Sequence, residues 1–207
     1  MTTLILIRHG QTDHNLAKRY CGLSDPPLNH KGIEQAKRLA VRLKGLRIDK
    51  VYSSALVRAY DTAVLIFKNK TIKKSADLRE MDFGIFEGLT HGEIIKKRPK
   101  LYKSWIDNPL EVKIPGGEKP TQFCSRVRRY FSFILSTHQD ETIAVVTHGG
   151  PIRVILCDVL GCDMKMFLQI EQNVGALNII EYPKKLAPVV IEMNDTSHLF
   201  SKKIASR

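Results

Sequence analysis

The sequence Leu4-Ile5-Leu6-Ile7-Arg8-His9-Gly10 places an arginine and a histidine directly between a short apolar run and a glycine. The apolar run is typical of a buried β-strand, and the glycine predicts a sharp turn at its end. In open α/β sheets, ligands bind beyond the carboxyl ends of the strands. The pattern therefore predicts that Arg8, whose planar fork suits phosphate oxygens, and His9, whose neutral imidazole can act as a nucleophile, face a ligand.

A second segment repeats this order of apolar strand, histidine and glycine. Residues 143–146 (Ile-Ala-Val-Val) are apolar and mostly β-branched, and Thr147-His148-Gly149-Gly150-Pro151 follows them. The glycines permit a tight turn, and the proline suits the first turn of a following helix. Either histidine alone is compatible with a purely structural role. The repetition favours a functional pair, because two neighbouring parallel strands would bring both imidazoles to one edge of the sheet.

Helix and strand signals alternate along the rest of the chain. Asn29 can cap the helix that follows it, and Thr90 with Glu93 predicts a capping box for a short helix. A helix over 56–67 would place Arg58 in its first turn, where the guanidinium and the helix N-terminus can both face an anion. Further helices are predicted over 121–136 and 152–160, and further strands over 50–53, 142–146, 176–182 and 188–193.

These elements predict the fold class and the domain organisation. Alternating helices and buried strands indicate an α/β fold, a three-layer α/β/α sandwich whose central sheet is mostly parallel with an antiparallel edge. The chain has 207 residues, enough for a substantial core, and no repeat or linker divides it. We therefore expect a single domain over 1–207.

The composition narrows the classes of partner. No apolar run approaches the ~20 residues needed to cross a bilayer, and the N-terminus lacks the basic segment of a signal peptide. The four cysteines have no CxxC spacing, which favours reduced thiols in a cytoplasmic protein over a zinc site or a disulfide framework. The net charge of +12 suits a small anionic substrate. A nucleic-acid partner is not expected, because the basic residues are dispersed and no RNA- or DNA-binding motif is present.

The decapeptide Leu6-Ile7-Arg8-His9-Gly10-Gln11-Thr12-Asp13-His14-Asn15 resembles the signature of the histidine phosphatase superfamily, which includes the cofactor-dependent phosphoglycerate mutases. Further resemblances follow in the family's order, at DPPLNHKGIEQA (25–36), VYSSALVRAYDTA (51–63), LREMDFGIFEG (78–88) and THGG (147–150). Because these segments extend over most of the chain, the resemblance implies a phosphoglycerate mutase-like fold and phosphoryl-transfer chemistry.

The resemblance also implies a role for each candidate residue. His9 would be the nucleophile that forms a phosphohistidine, and Glu80 the acid that protonates the leaving oxygen and then activates water. Arg8, Arg58 and His148 would hold the phosphoryl oxygens. The predicted substrate-binding set is completed by Asn15, Cys21, Gly22 and Gly149. Asn15 could instead be a turn or cap residue, and Glu80 a surface carboxylate. No cofactor is expected, and no metal, because these donors supply the positive charge and no HxH or HExxH spacing is present.

Two departures from the mutases favour hydrolysis over mutase action. The mutases carry a long insertion with paired arginines between the acid segment and the second histidine, which this chain lacks, and a threonine where it has Cys21. Among the phosphatases, residues 82–90 and 194–199 resemble the α-ribazole phosphatase type of cobalamin biosynthesis. We expect a phosphomonoester hydrolase, with α-ribazole 5′-phosphate as a candidate substrate. A phosphoglycerate mutase or a broad-specificity sugar-phosphate phosphatase is the alternative, and a homodimer is compatible with the family.

Overall fold

A computed structural model describes residues 1–200 and confirms the predicted α/β fold. A single six-stranded sheet forms its centre, in the order β3-β2-β4-β1-β5-β6. The first four of these strands run parallel, and β5 and β6 form the antiparallel edge. The strands are β1 (Thr2–Arg8), β2 (Lys50–Ser54), β3 (Ile72–Ser75), β4 (Thr142–Thr147), β5 (Leu177–Tyr182) and β6 (Val189–Asp195).

Helices cover both faces of this sheet. They are α1 (Asp13–Leu16), α2 (His30–Arg42), α3 (Val57–Ile66), α4 (His91–Lys97), α5 (Pro99–Asp107), α6 (Pro120–Thr137) and α7 (Gly149–Leu160). Successive residues of a strand face opposite sides of the sheet, so β1 contributes to two separate cores. Leu4 and Leu6 pack in the core that includes α6 and α7, whereas Ile5 and Ile7 pack with α2 and α3. The result is the expected three-layer sandwich.

The local signals that the sequence contains are used as predicted. Asn29 caps α2, its side-chain oxygen accepting the Gly32 N–H at 3.0 Å. Thr90 and Glu93 form the capping box that opens α4. The strand β3 was not predicted, because its sequence Ile-Lys-Lys-Ser carries only one apolar residue. Lysines are typical of edge strands, where they disfavour pairing with another chain.

No helix within residues 1–200 combines the length and the apolar character that crossing a bilayer would need.

Candidate active site

The carboxyl ends of β1 and β4 meet at the centre of the sheet. Arg8 pairs in register with Thr147, and the His9 N–H donates to the Thr147 carbonyl at 3.0 Å. The two imidazoles that follow these strands are therefore adjacent, with 5.1 Å between the ring centroids of His9 and His148. Both residues are buried. This arrangement confirms the predicted meeting of the two histidines at one edge.

His9 is held in one tautomer. Its Nδ1 lies 2.7 Å from the carbonyl oxygen of Gly10. A carbonyl oxygen can only accept a hydrogen bond, so Nδ1 carries the hydrogen and Nε2 keeps its lone pair. Burial, followed by the charges of Arg58 and Arg8, lowers the pKa of His9 well below 6.5. The imidazole is therefore neutral near pH 7 and offers Nε2 as a nucleophile.

His148 is also neutral and points a donor into the site. Its Nε2 lies 2.8 Å from Oγ of Ser54, which itself accepts the Leu56 N–H at 3.2 Å. Within residues 1–200 the one acceptor available to the Ser54 hydroxyl hydrogen is Nε2 of His148, so the hydrogen of His148 is assigned to Nδ1, a buried atom that has no partner in those residues. Burial and then the charge of Arg58 lower the pKa of His148 well below 6.5.

Arg58 lies in the first turn of α3, as predicted, and is fully buried. Its guanidinium is fixed by backbone carbonyls of the preceding loop. Nη1 donates to the Ser24 carbonyl at 2.7 Å, and Nη2 donates to the carbonyls of Gly22 at 2.8 Å and Cys21 at 3.3 Å. Asp25 lies 3.4 Å from Nη1. These contacts leave Nε as the buried donor of Arg58 without a partner in the described residues.

Arg8 completes a set of three unpartnered donors. Its Nη1 donates to the Gln172 carbonyl, and its Nε is buried without a partner in residues 1–200. Burial, followed by the charge of Arg153, lowers the pKa of Arg8 to about 10. Buried donors normally have partners, so Arg8 Nε, Arg58 Nε and His148 Nδ1 are donors suited to an anion with several acceptor oxygens.

Glu80 is buried next to the N-terminus of α7, which excludes the surface role considered above. Only 8% of the residue is exposed. One carboxylate oxygen accepts the Gly150 N–H at 3.0 Å and the other accepts the Met81 N–H at 3.0 Å. A Cβ at Gly150 would lie 2.0 Å from a Glu80 oxygen, so this approach requires glycine.

The remaining predicted substrate-binding residues lie around the cleft and are partly engaged. The side-chain oxygen of Asn15 accepts the Thr12 N–H at 3.0 Å in the capping box of α1, which leaves its NH₂ group for an anion. Cys21 donates its thiol to Ser24, and burial raises its pKa to about 11, so it stays uncharged. The Cα of Gly149 lies beside the guanidinium of Arg8.

Gly22 belongs to a loop that is held from two sides. Its N–H donates to the Glu87 carboxylate at 2.9 Å, and the N–H groups of Leu23 and Ser24 donate to the same carboxylate at 3.1 and 3.2 Å. The carbonyls of this loop accept from Arg58, as described above. Gly22 therefore belongs to the loop that supports Arg58. Glu87, whose carboxylate holds this loop, is a residue of the site that sequence reasoning missed. The signal for Glu87 in the sequence was its position in the segment 78–88.

The neutral state of the two histidines predicts an NMR result. The ring signals of His9 and His148 in the wild-type protein are assigned by their absence from the spectra of His9→Ala and His148→Ala. In the wild-type protein these signals should keep their chemical shifts as the pH falls from 7.5 to 6.0. Unfolded histidines gain a proton near pH 6.5 whereas these stay neutral, so the free energy of unfolding should fall as the pH drops below 6.5. Titration of either ring with a midpoint at or above 6.5 would contradict this prediction.

No group of three or more His, Cys, Asp or Glu side chains in residues 1–200 is placed to hold a metal ion. Arg8 and Arg58 place two buried guanidinium groups in the cleft, close enough to His9 to lower its pKa. The fold and the cleft thus define a class of α/β protein in which an uncharged histidine lies among buried guanidinium groups at the carboxyl ends of parallel strands.

The comparison with known families agrees with that class. The model of the histidine phosphatase superfamily, branch 1, matches residues 4–196. The chain therefore belongs to the histidine phosphatase superfamily, and the resemblance inferred from its motifs is confirmed.

Individual relatives include phosphatases with different named substrates. Phosphoserine phosphatase 1 of Hydrogenobacter thermophilus is 33% identical over 201 residues, which cover 96% of this chain and 95% of that protein. A metal-independent phosphoserine phosphatase of Arabidopsis thaliana is 38% identical over 160 residues, covering 75% and 67% of the two chains. The structure of a putative α-ribazole-5′-P phosphatase from Escherichia coli superposes with a TM-score of 0.86, at 28% identity and with 94% and 96% coverage.

Proposed function

We propose that this chain is a phosphomonoester hydrolase that works through a phosphohistidine at His9 and needs no metal ion. The observation that carries this proposal is the set of three unpartnered buried donors, on Arg8, Arg58 and His148, around a neutral imidazole. A phosphoryl group would satisfy all three donors at once. Its negative charge would also offset the charges of two buried guanidinium groups, of which Arg58 alone forms an ion pair within residues 1–200, with Asp25 at 3.4 Å.

The proposed reaction has two steps. In the first, the Nε2 lone pair of His9 forms a bond to phosphorus, and the bond from phosphorus to the ester oxygen breaks. Glu80, as a carboxylic acid, gives its proton to the departing alkoxide. In the second, water attacks the phosphohistidine, Glu80 takes a proton from that water, and His9 is restored as inorganic phosphate forms. Arg8, Arg58 and His148 stabilise the charge on the phosphoryl oxygens in both steps.

Two named substrates of relatives are candidates for this chain. The motifs at 82–90 and 194–199 and the likeness to the E. coli protein support α-ribazole 5′-phosphate. The identity to the H. thermophilus and A. thaliana proteins supports phosphoserine. A mutase remains the alternative activity, and the absence of the inserted paired arginines argues against it. We also propose that the protein is cytoplasmic. Its four cysteines, none of which forms a disulfide in residues 1–200, support this location.

Phosphate release from a panel of esters tests the proposal. The panel contains α-ribazole 5′-phosphate, phosphoserine, sugar phosphates and 3-phosphoglycerate with a trace of the bisphosphate, each with and without excess EDTA. We expect inorganic phosphate in both conditions, because arginine donors occupy the place of a metal, and inhibition by vanadate, which mimics the transition state. Activity that EDTA removes and one divalent ion restores would contradict the proposal. So would efficient formation of 2-phosphoglycerate without release of phosphate.

A further inference from the structure

A small cavity is lined in part by Glu80. Its volume is about 220 Å³, and its walls include Tyr20, Phe83, Trp105 and Phe167 together with two charged residues, Glu80 and Arg153. The aromatic rings pack edge to face, with 5.3 Å between the centroids of Tyr20 and Phe83 and 5.4 Å between those of Tyr20 and Trp105. Because Glu80 protonates the departing oxygen in the proposed reaction, the group that enters this cavity is the leaving alcohol.

Among residues 1–200, Arg153 is the one cationic side chain that lines this cavity. Its Nε donates to the Ile170 carbonyl at 2.7 Å, which orients the guanidinium. Its Nη1 and Nη2 have neither a hydrogen bond nor an ion-pair partner within residues 1–200. Nη1 of Arg153 lies beside Gly149, because a Cβ added to that glycine would be 3.3 Å from it.

Arg126, another partly buried arginine of this protein, differs from Arg153 in that its guanidinium nitrogens have hydrogen-bond partners. The guanidinium of Arg126 makes two hydrogen bonds to Glu118, at 2.7 and 2.9 Å, and further bonds to backbone carbonyls, including that of Glu80 at 3.0 Å. Arg153 is likewise partly buried, which lowers its pKa, yet the four N–H hydrogens on Nη1 and Nη2 have no acceptor within residues 1–200. A partly desolvated guanidinium of this kind is the donor set that binds a planar carboxylate with two parallel hydrogen bonds.

We propose that Arg153 binds a carboxylate carried by the leaving alcohol, so that the preferred substrates are phosphate esters of small hydroxy acids. This inference rests on the proposed function, because it assigns the leaving group to the cavity beside Glu80. A single cation matches the single charge of a carboxylate better than the double charge of a second phosphate. The aromatic walls exclude water around this ion pair and so strengthen it. A neutral riboside such as α-ribazole would leave Arg153 without a partner.

Pairs of esters that differ only near the acid group test this assignment. 3-Phosphoglycerate is compared with glycerol 3-phosphate, in which a hydroxymethyl group replaces the carboxylate. Phosphoserine is compared with phosphoethanolamine, which lacks the carboxylate. In the wild-type protein we expect kcat/KM to be at least about 30-fold higher for the carboxylate-bearing ester of each pair than for its partner ester. In Arg153→Met the ratio of the two kcat/KM values should fall to within about threefold of one. Arg153→Lys should keep part of the preference, because it keeps the charge and loses the fork.

Arg128→Met is the matched control. It removes the same charge from the exposed side of α6, where Arg128 pairs with Asp158, and should leave the acid preference unchanged. The inhibition constant of vanadate in Arg153→Met should stay within about threefold of the wild-type value, because Arg153 is assigned to the leaving group. A larger loss of vanadate binding would overturn the assignment, as would equal rates for the two members of each pair in the wild-type protein.

The same assay separates this inference from the proposed function. The wild-type protein could release phosphate from p-nitrophenyl phosphate and become phosphorylated on His9, yet show no preference for the carboxylate-bearing ester of each pair. In that case only the role of Arg153 is wrong. If no ester is hydrolysed and no phosphoenzyme forms, the proposed hydrolysis itself fails. A folded Arg153→Met protein, shown by an unchanged thermal transition, is required before the ratios are compared.

Discussion

His9→Ala is expected to reduce turnover of every phosphomonoester by a factor on the order of 10⁴ or more, while the protein stays folded. Alanine removes the Nε2 lone pair that is proposed to attack phosphorus. Within residues 1–200 the His9 side chain makes one hydrogen bond, to the Gly10 carbonyl of its own turn, so its loss should leave the sheet intact. Steady-state phosphate release and a thermal transition measure the two parts of this prediction.

Rapid quenching with ³²P-labelled ester gives the direct test of the intermediate. The wild-type protein should carry label that is lost in acid and stable in base, as a phosphohistidine is, and His9→Ala should carry none. His30→Ala is the control, because His30 is an exposed residue at the start of α2. Full activity of His9→Ala, or label that remains in it, would refute the role of His9 as nucleophile.

Glu80→Gln is expected to slow alkyl phosphates by a factor of about 10² to 10³ and p-nitrophenyl phosphate much less. An alkoxide needs a proton to depart, whereas nitrophenolate is stable without one. Glutamine can still accept the Gly150 N–H through its amide oxygen, so the variant removes the acid and keeps the main contact to α7. The measurement is kcat/KM of the wild-type protein and of Glu80→Gln for phosphoserine and for p-nitrophenyl phosphate.

The control for Glu80 is Glu111→Gln, which changes an exposed carboxylate in the loop before α6. It should alter neither rate. Equal losses on the two substrates in Glu80→Gln would show that Glu80 only orients the substrate or supports the cleft, and would remove it as the acid.

The sequence by itself determined most of the elements, β3 excepted, and the residues carried at their ends. The apolar run before Arg8 and the run before His148 specify strands because alternation and β-branching act within a few residues. Asn29, Thr90 and Glu93 specify helix starts for the same reason, since a cap bonds to groups two or three residues away. The motifs around His9, Arg58 and Glu80 were likewise sufficient to predict the family, which the family model confirmed.

Only the tertiary structure decided how these groups act on one another. The order of strands placed β4 beside β1, and that adjacency brought the rings of His9 and His148 to 5.1 Å. The contact of Glu87 with the loop that holds Arg58 joins residues more than 60 positions apart. The position of Arg153 in an aromatic cavity, with Nη1 and Nη2 free of hydrogen bonds within residues 1–200, had no sequence signal. Such contacts depend on packing between distant segments, which local propensities do not encode, and they set the neutral state of His9 and the direction of each donor in the cleft.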